Sequence, residues 1–256
     1  MIWFVSLPDE HQMNSLLPLI LAIDTAGSCS SVALTLGTVG ASTGGQVVAS
    51  LSLNSSVTHS RRLLSAIDWL LAETETSWQA VQGLAVSLGP GSFTGLRIGM
   101  ATVKGLAMAT GKPLMGVSTL DALALNCTGE RLICAVLDAR KKEVYTCFYH
   151  LDRQGIPRRA GEIRVVNPLQ LVAEISQPVL FVGDAVRVYG DIWQEALGDW
   201  FATAPIPLHY PCASALGLLA GEMLLKNQCL DLATAVPFYV RASDAELSLG
   251  KVSEPA

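Results

Sequence analysis

The chain predicts an α/β protein made of two related lobes, and three observations carry that prediction. Residues 83–113, GLAVSLGPGSFTGLRIGMATVKGLAMATGKP, read as a buried strand over 84–88, a glycine-rich turn over 89–95 and a helix over 96–110. Gly111 is placed for a left-handed cap and Pro113 forbids continuation, so the helix has a defined exit. Second, ILAIDTAGSCSSVAL ends a strand on Asp24 and turns into another strand, and VLDARKKEVY repeats the device at Asp138. Two strand–aspartate–hairpin units in one chain suggest internal duplication. Third, HSRRLLSAIDWLLAE over 59–73 carries Leu63, Leu64, Ile67, Leu70 and Leu71 at helical spacing, which marks an amphipathic helix rather than a strand.

Taken in order, residues 1–18 form an appendage: MIWFVSLPDEHQMNSLLP has neither the basic start nor the unbroken apolar stretch of a secretory signal, and Met13 is an alternative start. The first lobe, 19–117, holds strands ending at Asp24 and over 31–36 and 47–53, the helix over 59–73, the central strand–turn–helix, and a strand over 114–117. Ser118 is placed to cap a helix over 119–126, which opens the second, reduced lobe, 118–256. That lobe has strands over 132–138, 143–149, 163–166 and 179–182, helices over 185–197 and 213–226, and a tail containing VPFYVR.

Composition narrows the function. With 256 residues, 50% hydrophobic and 15% charged, the chain can bury a substantial core as one large domain or two small ones. A net charge of −5 argues against a chain that binds nucleic acid by itself. Cys29, Cys127, Cys134, Cys147, Cys212 and Cys229 form no CxxC pair and lie mostly in apolar runs, as buried free thiols of a reducing cytosol do. His11, His59, His150 and His209 are dispersed as well, so no zinc site, cofactor or membrane attachment is expected and the expected location is the cytoplasm.

The candidate chemistry has two readings at each place. The turn before the central helix can present backbone N–H groups and a helix N-terminus to an anion. Alternatively its glycines serve tight packing and Ser92 or Thr94 caps the helix; the pattern GxxxxGK[ST] is absent. Asp24 and Asp138 at strand ends suit a phosphate or a metal-bound phosphate, and hairpins use the same residues for steric reasons. Within the helix, Gly95, Gly99 and Val103 form one line and Ala101, Gly105 and Ala109 another. Each interior glycine costs about 1 kcal/mol against alanine, and close approach of another backbone, in this chain or in another, is the usual compensation. Arg97 and Lys104 interrupt the stretch, which excludes a lipid-embedded pairing. Trp69, off the apolar stripe, serves either packing or a partner surface, and His59 belongs to a cap region.

These segments together, ILAIDTAGSCSSVAL, HSRRLLSAIDWLL, LAVSLGPGSFTGLRIGMATVKGLA with GVSTLDALA, VLDARKKEVY and PFYVR, resemble the bacterial TsaB (YeaZ) family over about residues 19–241. The resemblance implies a two-lobed fold of the actin/sugar-kinase/Hsp70 (ribonuclease H-like) type. It implies a non-catalytic scaffold that binds and stabilises the TsaD subunit, which transfers threonylcarbamoyl to adenosine 37 of tRNA, with a TsaE-type ATPase joining the complex. It also implies that the helices over 59–73 and 96–110 form a partner or homodimer interface, expected at Leu63, Ile67, Leu70, Arg97, Gly99, Ala101, Lys104 and Gly105.

Two departures from the catalytic relative stand out. Its metal-binding histidines match Thr119 and Leu123, and its nucleotide motif has at most a remnant in Val182-Gly183-Asp184-Ala185. Asp24, Ser92, Thr94 and Asp138 are therefore the residues left for any nucleotide contact. The alternative to a scaffold is an ATP-dependent phosphotransferase or a metallopeptidase-like enzyme of the same superfamily. Within the family, Arg61 stands where an acidic residue is frequent after His-Ser. Contact with tRNA is expected to be indirect, with Arg140, Lys141 and Lys142 either a solvated hairpin tip or a direct contact.

Overall fold

The structure, a computed structural model, describes residues 17–39, 44–54 and 59–240. The expected N-terminal appendage up to residue 16, the choice between Met1 and Met13, Arg241 and the side chains of His59 and Arg61 lie outside the described residues.

The first sheet is built from β1 (Leu19–Asp24), β2 (Cys29–Leu36), β3 (Gln46–Asn54), β4 (Gly83–Gly89) and β5 (Leu114–Ser118), in the order β3-β2-β1-β4-β5. The second uses β6 (Leu132–Asp138), β7 (Val144–Leu151), β8 (Pro157–Arg159), β10 (Val179–Val182) and β11 (Phe201–Thr203), in the order β8-β7-β6-β10-β11, with β9 (Arg164–Val166) also on β7. In both, the aspartate-ending strand pairs antiparallel with its hairpin mate and parallel with the strand that follows a helical crossover. β1 matches β6, β2 matches β7, β4 matches β10. This is the duplicated two-lobed architecture that the two aspartate hairpins predict.

β1 is apolar along its length because both its faces are covered. One face packs Leu19, Leu21 and Ile23 against α1 (His59–Glu73) and α2 (Phe93–Thr110), with Leu63, Ile67, Leu70 and Val103 closing the core. The other packs Ile20 and Ala22 against α6 (Ala213–Leu225) through Ala213, Leu216 and Ala220. α6 lies after the second sheet in sequence, yet it seals the first one. It can do so because it has glycine at its contacts: a Cβ on Gly217 would sit 2.4 Å from Thr35 Oγ1, and one on Gly221 would overlap the Gly37 carbonyl. α3 (Thr119–Leu125) joins the two lobes, and α5 (Val186–Leu197) covers the second sheet with the buried Trp193, whose ring stacks 4.6 Å from that of Phe181.

Several local expectations change. α2 starts at Phe93 rather than at 96, because Ser92 is its N-cap and its Oγ accepts from Gly95 N at 3.2 Å. Gly111 caps the other end at φ 68°. Ser118 stands at the N-cap of α3 without making a side-chain cap bond. Leu64, counted with the apolar stripe of α1, points outward and is 50% exposed. β8, β11 and α4 (Pro168–Ala173) carry no sequence period, being three, three and six residues long. Of the cysteines, Cys29, Cys127, Cys134 and Cys147 are buried, Cys212 is half-buried and Cys229 is exposed. Burial pushes the Cys127 and Cys134 thiols up to about 12, which keeps them protonated and unreactive.

Candidate functional site

The two aspartate hairpins face a cleft of about 820 Å³ between the lobes, lined by residues 26–28, the turn from Pro90 to Phe93, Asp138, Arg140, Asp184, Arg187 and Tyr210. The hairpins are built alike. Asp24 Oδ1 accepts from Ala26 N at 3.1 Å, and Asp138 Oδ1 accepts from Arg140 N at 2.9 Å. Each carboxylate thus holds the turn that follows its own strand. Asp138 is further committed: its N donates to Asp184 Oδ1 at 2.9 Å and its Oδ2 lies 3.3 Å from Arg140 Nη1. Burial, ahead of the nearby Asp138 charge, raises the pKa of Asp184 above the ordinary carboxylate value. Arg140, Lys141 and Lys142 form the hairpin tip in left-handed conformation, at φ 62°, 52° and 61°. Arg158 and Arg159 are engaged within the chain, with Asp152 and Asp121 respectively.

Packing accounts for the glycine spacing of the central element. A Cβ on Gly91 would lie 2.5 Å from Ala26 O, one on Gly95 2.0 Å from Thr25 O, and one on Gly99 2.4 Å from Thr25 Oγ1. Ser92 N donates to Ala26 O at 2.6 Å and Thr25 Oγ1 to Gly95 O at 2.7 Å. The turn and the first two turns of α2 are therefore pressed against the hairpin of β1 and β2. The backbone that compensates the Gly95–Gly99 line is a turn of this chain, not another helix. The Ser92 hydroxyl serves the cap, and Thr94 is exposed.

The other line of small residues has no such neighbour. A Cβ on Gly105 would meet no atom within 4 Å, and Ala101 and Ala109 are exposed beside it. With Met108 (76% exposed) they form an uncovered face of α2; on α1, which packs beside α2, Leu64 and Trp69 (49%) are exposed as well. Leu63, Ile67, Leu70 and Gly99, expected at an interface, are buried inside this lobe. Arg97 and Lys104 remain at the surface and are held by the chain's own C-terminal segment, Arg97 Nε donating to Tyr239 Oη at 3.0 Å and Lys104 Nζ to Ala235 O at 3.2 Å. That segment, which also lines the cleft with Phe238, Tyr239 and Val240, is a contributor the sequence left as a tail. Its two aromatic residues and Pro237 gave the available signal.

Thr119 and Leu123, which the resemblance aligns with histidines of the catalytic relative, are both fully buried. His209 is a structural group: buried, its Nδ1 accepts from Gly183 N at 3.1 Å, and desolvation lowers its pKa below 6.5, a hydrogen bond to Ala204 partly offsetting this. It fixes the turn at Gly183, which stands at φ 128° with Val136 O in the place of a Cβ and which carries Asp184. No helix among the described residues is long and apolar enough to cross a membrane.

Comparison with known proteins gives a consistent result. The family model for TsaD, tRNA N6-adenosine threonylcarbamoyltransferase, matches residues 53–249. The tRNA threonylcarbamoyladenosine biosynthesis protein TsaB of Bacillus subtilis is 31% identical over 232 residues, spanning 89% of this chain and 96% of its own. The Escherichia coli protein of the same name is 32% identical over 229 residues, spanning 87% and 94%. Among solved structures, YeaZ from Pseudomonas aeruginosa superposes with a TM-score of 0.68 at 30% identity, over 87% of this chain and 99% of its own.

Proposed function

The chain belongs to the TsaB family, and on that premise we propose that it is a non-catalytic scaffold in the synthesis of N6-threonylcarbamoyladenosine at position 37 of tRNA. It binds a TsaD-type transferase subunit and holds it in its active arrangement. The observation that carries this proposal is the likeness to two TsaB proteins over nearly their whole length. The exposed face of α2 supports it by supplying a docking surface: Ala101, Gly105 and Met108 are uncovered, small or apolar, and Leu64 and Trp69 are exposed on the neighbouring α1. Such a surface admits close approach of a partner helix and gains from being covered. Without the transferase, the same face pairs two copies of this chain. A TsaE-type ATPase joins the complex, and tRNA is reached through the transferase.

The test is threonylcarbamoyladenosine formation on tRNA in a reconstituted mixture of the partner proteins, with and without this chain. The expected result is that product requires the chain and that the chain alone produces none. Full product formation without it would overturn the proposal and make nucleotide turnover in the interlobe cleft the next question, tested by Asp24→Asn.

A further inference from the structure

After α6 the chain returns across the first lobe and ends, as described, in a short strap. Ala235 and Pro237 are buried, whereas Val236, Phe238 and Tyr239 are exposed. Few bonds hold it. Phe238 N donates to Leu88 O at 2.8 Å, Lys104 Nζ donates to Ala235 O, and Arg97 reaches Tyr239 Oη. The Arg97 guanidinium lies 3.8 Å from the centre of the Phe93 ring, and the Tyr239 ring centre 4.9 Å from it. Gly89, at φ 114°, lets the strap come close: a Cβ there would stand 2.8 Å from Phe238 O. Phe238 lines both the interlobe cleft and a second cavity of about 770 Å³ that extends past Gly116, Ser118 and Asp121 to Met223. Within the strap, Phe238 thus stands between the two cavities.

The cations that hold this strap are those of α2, a helix with no acidic residue. Among the described residues, Arg97 and Lys104 bond to neutral acceptors, a phenol and a backbone carbonyl. A carboxylate adds the attraction of an opposite charge, which a phenol or a backbone carbonyl does not supply. We propose that residues 235–240 are a latch: an acidic group on a partner docking at α2 takes Arg97 and Lys104, the strap lifts, and the two cavities become one crevice. The partner's identity rests on the scaffold function proposed above; the latch itself does not. Docking at the helix face and opening between the lobes are then one event.

Hydrogen exchange of the amides in 235–240 tests it. In the free chain the Phe238 amide is protected, and Tyr239→Ala accelerates exchange across the strap by about tenfold, the loss of one hydrogen bond and one ring contact. Unchanged exchange in that variant overturns the latch. Addition of the transferase subunit is expected to slow exchange in α2 while accelerating it in the strap. Slowing in both overturns the latch and leaves the scaffold intact. If the subunit protects nothing, the docking reading fails instead, and hexaglutamate supplies the carboxylates. It accelerates strap exchange in the wild-type chain and not in Arg97→Gln/Lys104→Gln; equal exchange with and without hexaglutamate overturns the latch.

Discussion

Adding one methyl group to Gly99 and to Gly105, six residues apart on the same helix, has opposite consequences. At Gly105 the new Cβ meets no atom within 4 Å, so Gly105→Ala reduces the entropy lost by the backbone on folding and stabilises the chain by about 0.5–1 kcal/mol. At Gly99 the same gain is outweighed. The Cβ stands 2.4 Å from Thr25 Oγ1, a buried hydroxyl that donates to Gly95 O, and 3.5 Å from Val86 Cγ2. Thr25 must turn away and lose its bond, at about 1–3 kcal/mol, and overpacking adds a comparable amount. The net destabilisation is on the order of 2–4 kcal/mol. With a melting point that moves by about 2–4 °C per kcal/mol at this size, Gly105→Ala melts a few degrees above the wild type and Gly99→Ala roughly 4–16 °C below it, read by circular dichroism. A Gly99→Ala chain at least as stable as Gly105→Ala would refute the claim that this glycine line is fixed by the β1–β2 turn. Gly105→Leu, on the open line, keeps the fold and blocks the transferase, whereas Gly99→Leu damages the monomer first.

Other outcomes follow from the same geometry. Trp69→Ala costs the chain on the order of 2 kcal/mol, since half of the side chain is covered. It weakens transferase binding by about 2 kcal/mol, near thirtyfold by calorimetry, if the ring anchors the docking face. His209 has a folded pKa below its unfolded value of about 6.5, so its stabilising contribution is complete above that pH and declines as pH falls through 6.5 toward the depressed value. The urea midpoint therefore drops between pH 7.5 and 5.5 at up to about 1.4 kcal/mol per pH unit, and His209→Gln flattens the slope; an identical slope in the variant contradicts the assignment. The buried carboxyl of Asp184 acts with the opposite sign, its charge costing stability as pH rises above 3.8, so Asp184→Asn removes that loss in the acid range. Arg159→Ala, which breaks the paired bonds at 2.7 and 2.6 Å that tie β8 to Asp121 on α3, costs about 1 kcal/mol at its half-exposed site, measured by urea unfolding.

Long periodic elements were legible in the sequence. The stripe of α1, the apolar β1, β4 and β6, and the capped α2 all express burial that repeats along the chain, so residue spacing alone locates them. The short β8 and β11 were not, because three residues contain less than two full strand periods. The proposed docking face was half legible. Small residues at spacing four announced close packing on α2, but two such lines a third of a turn apart look alike in sequence, and only the neighbour of each tells them apart. One line meets Thr25 and the other meets solvent.

By itself, then, the sequence determined the α/β class, the duplication signalled by Asp24 and Asp138, and the family, since these rest on local chemistry: apolar runs, turn formers and long motifs. Tertiary structure alone decided what each element serves. It put α6 on the sheet of the other lobe, turned Leu63, Ile67, Leu70 and Gly99 inward, gave His209 to a backbone turn, and laid the PFYV segment over the cleft. Each depends on which residues, distant in the chain, come within a few ångströms of one another, and no pattern along the chain encodes that distance.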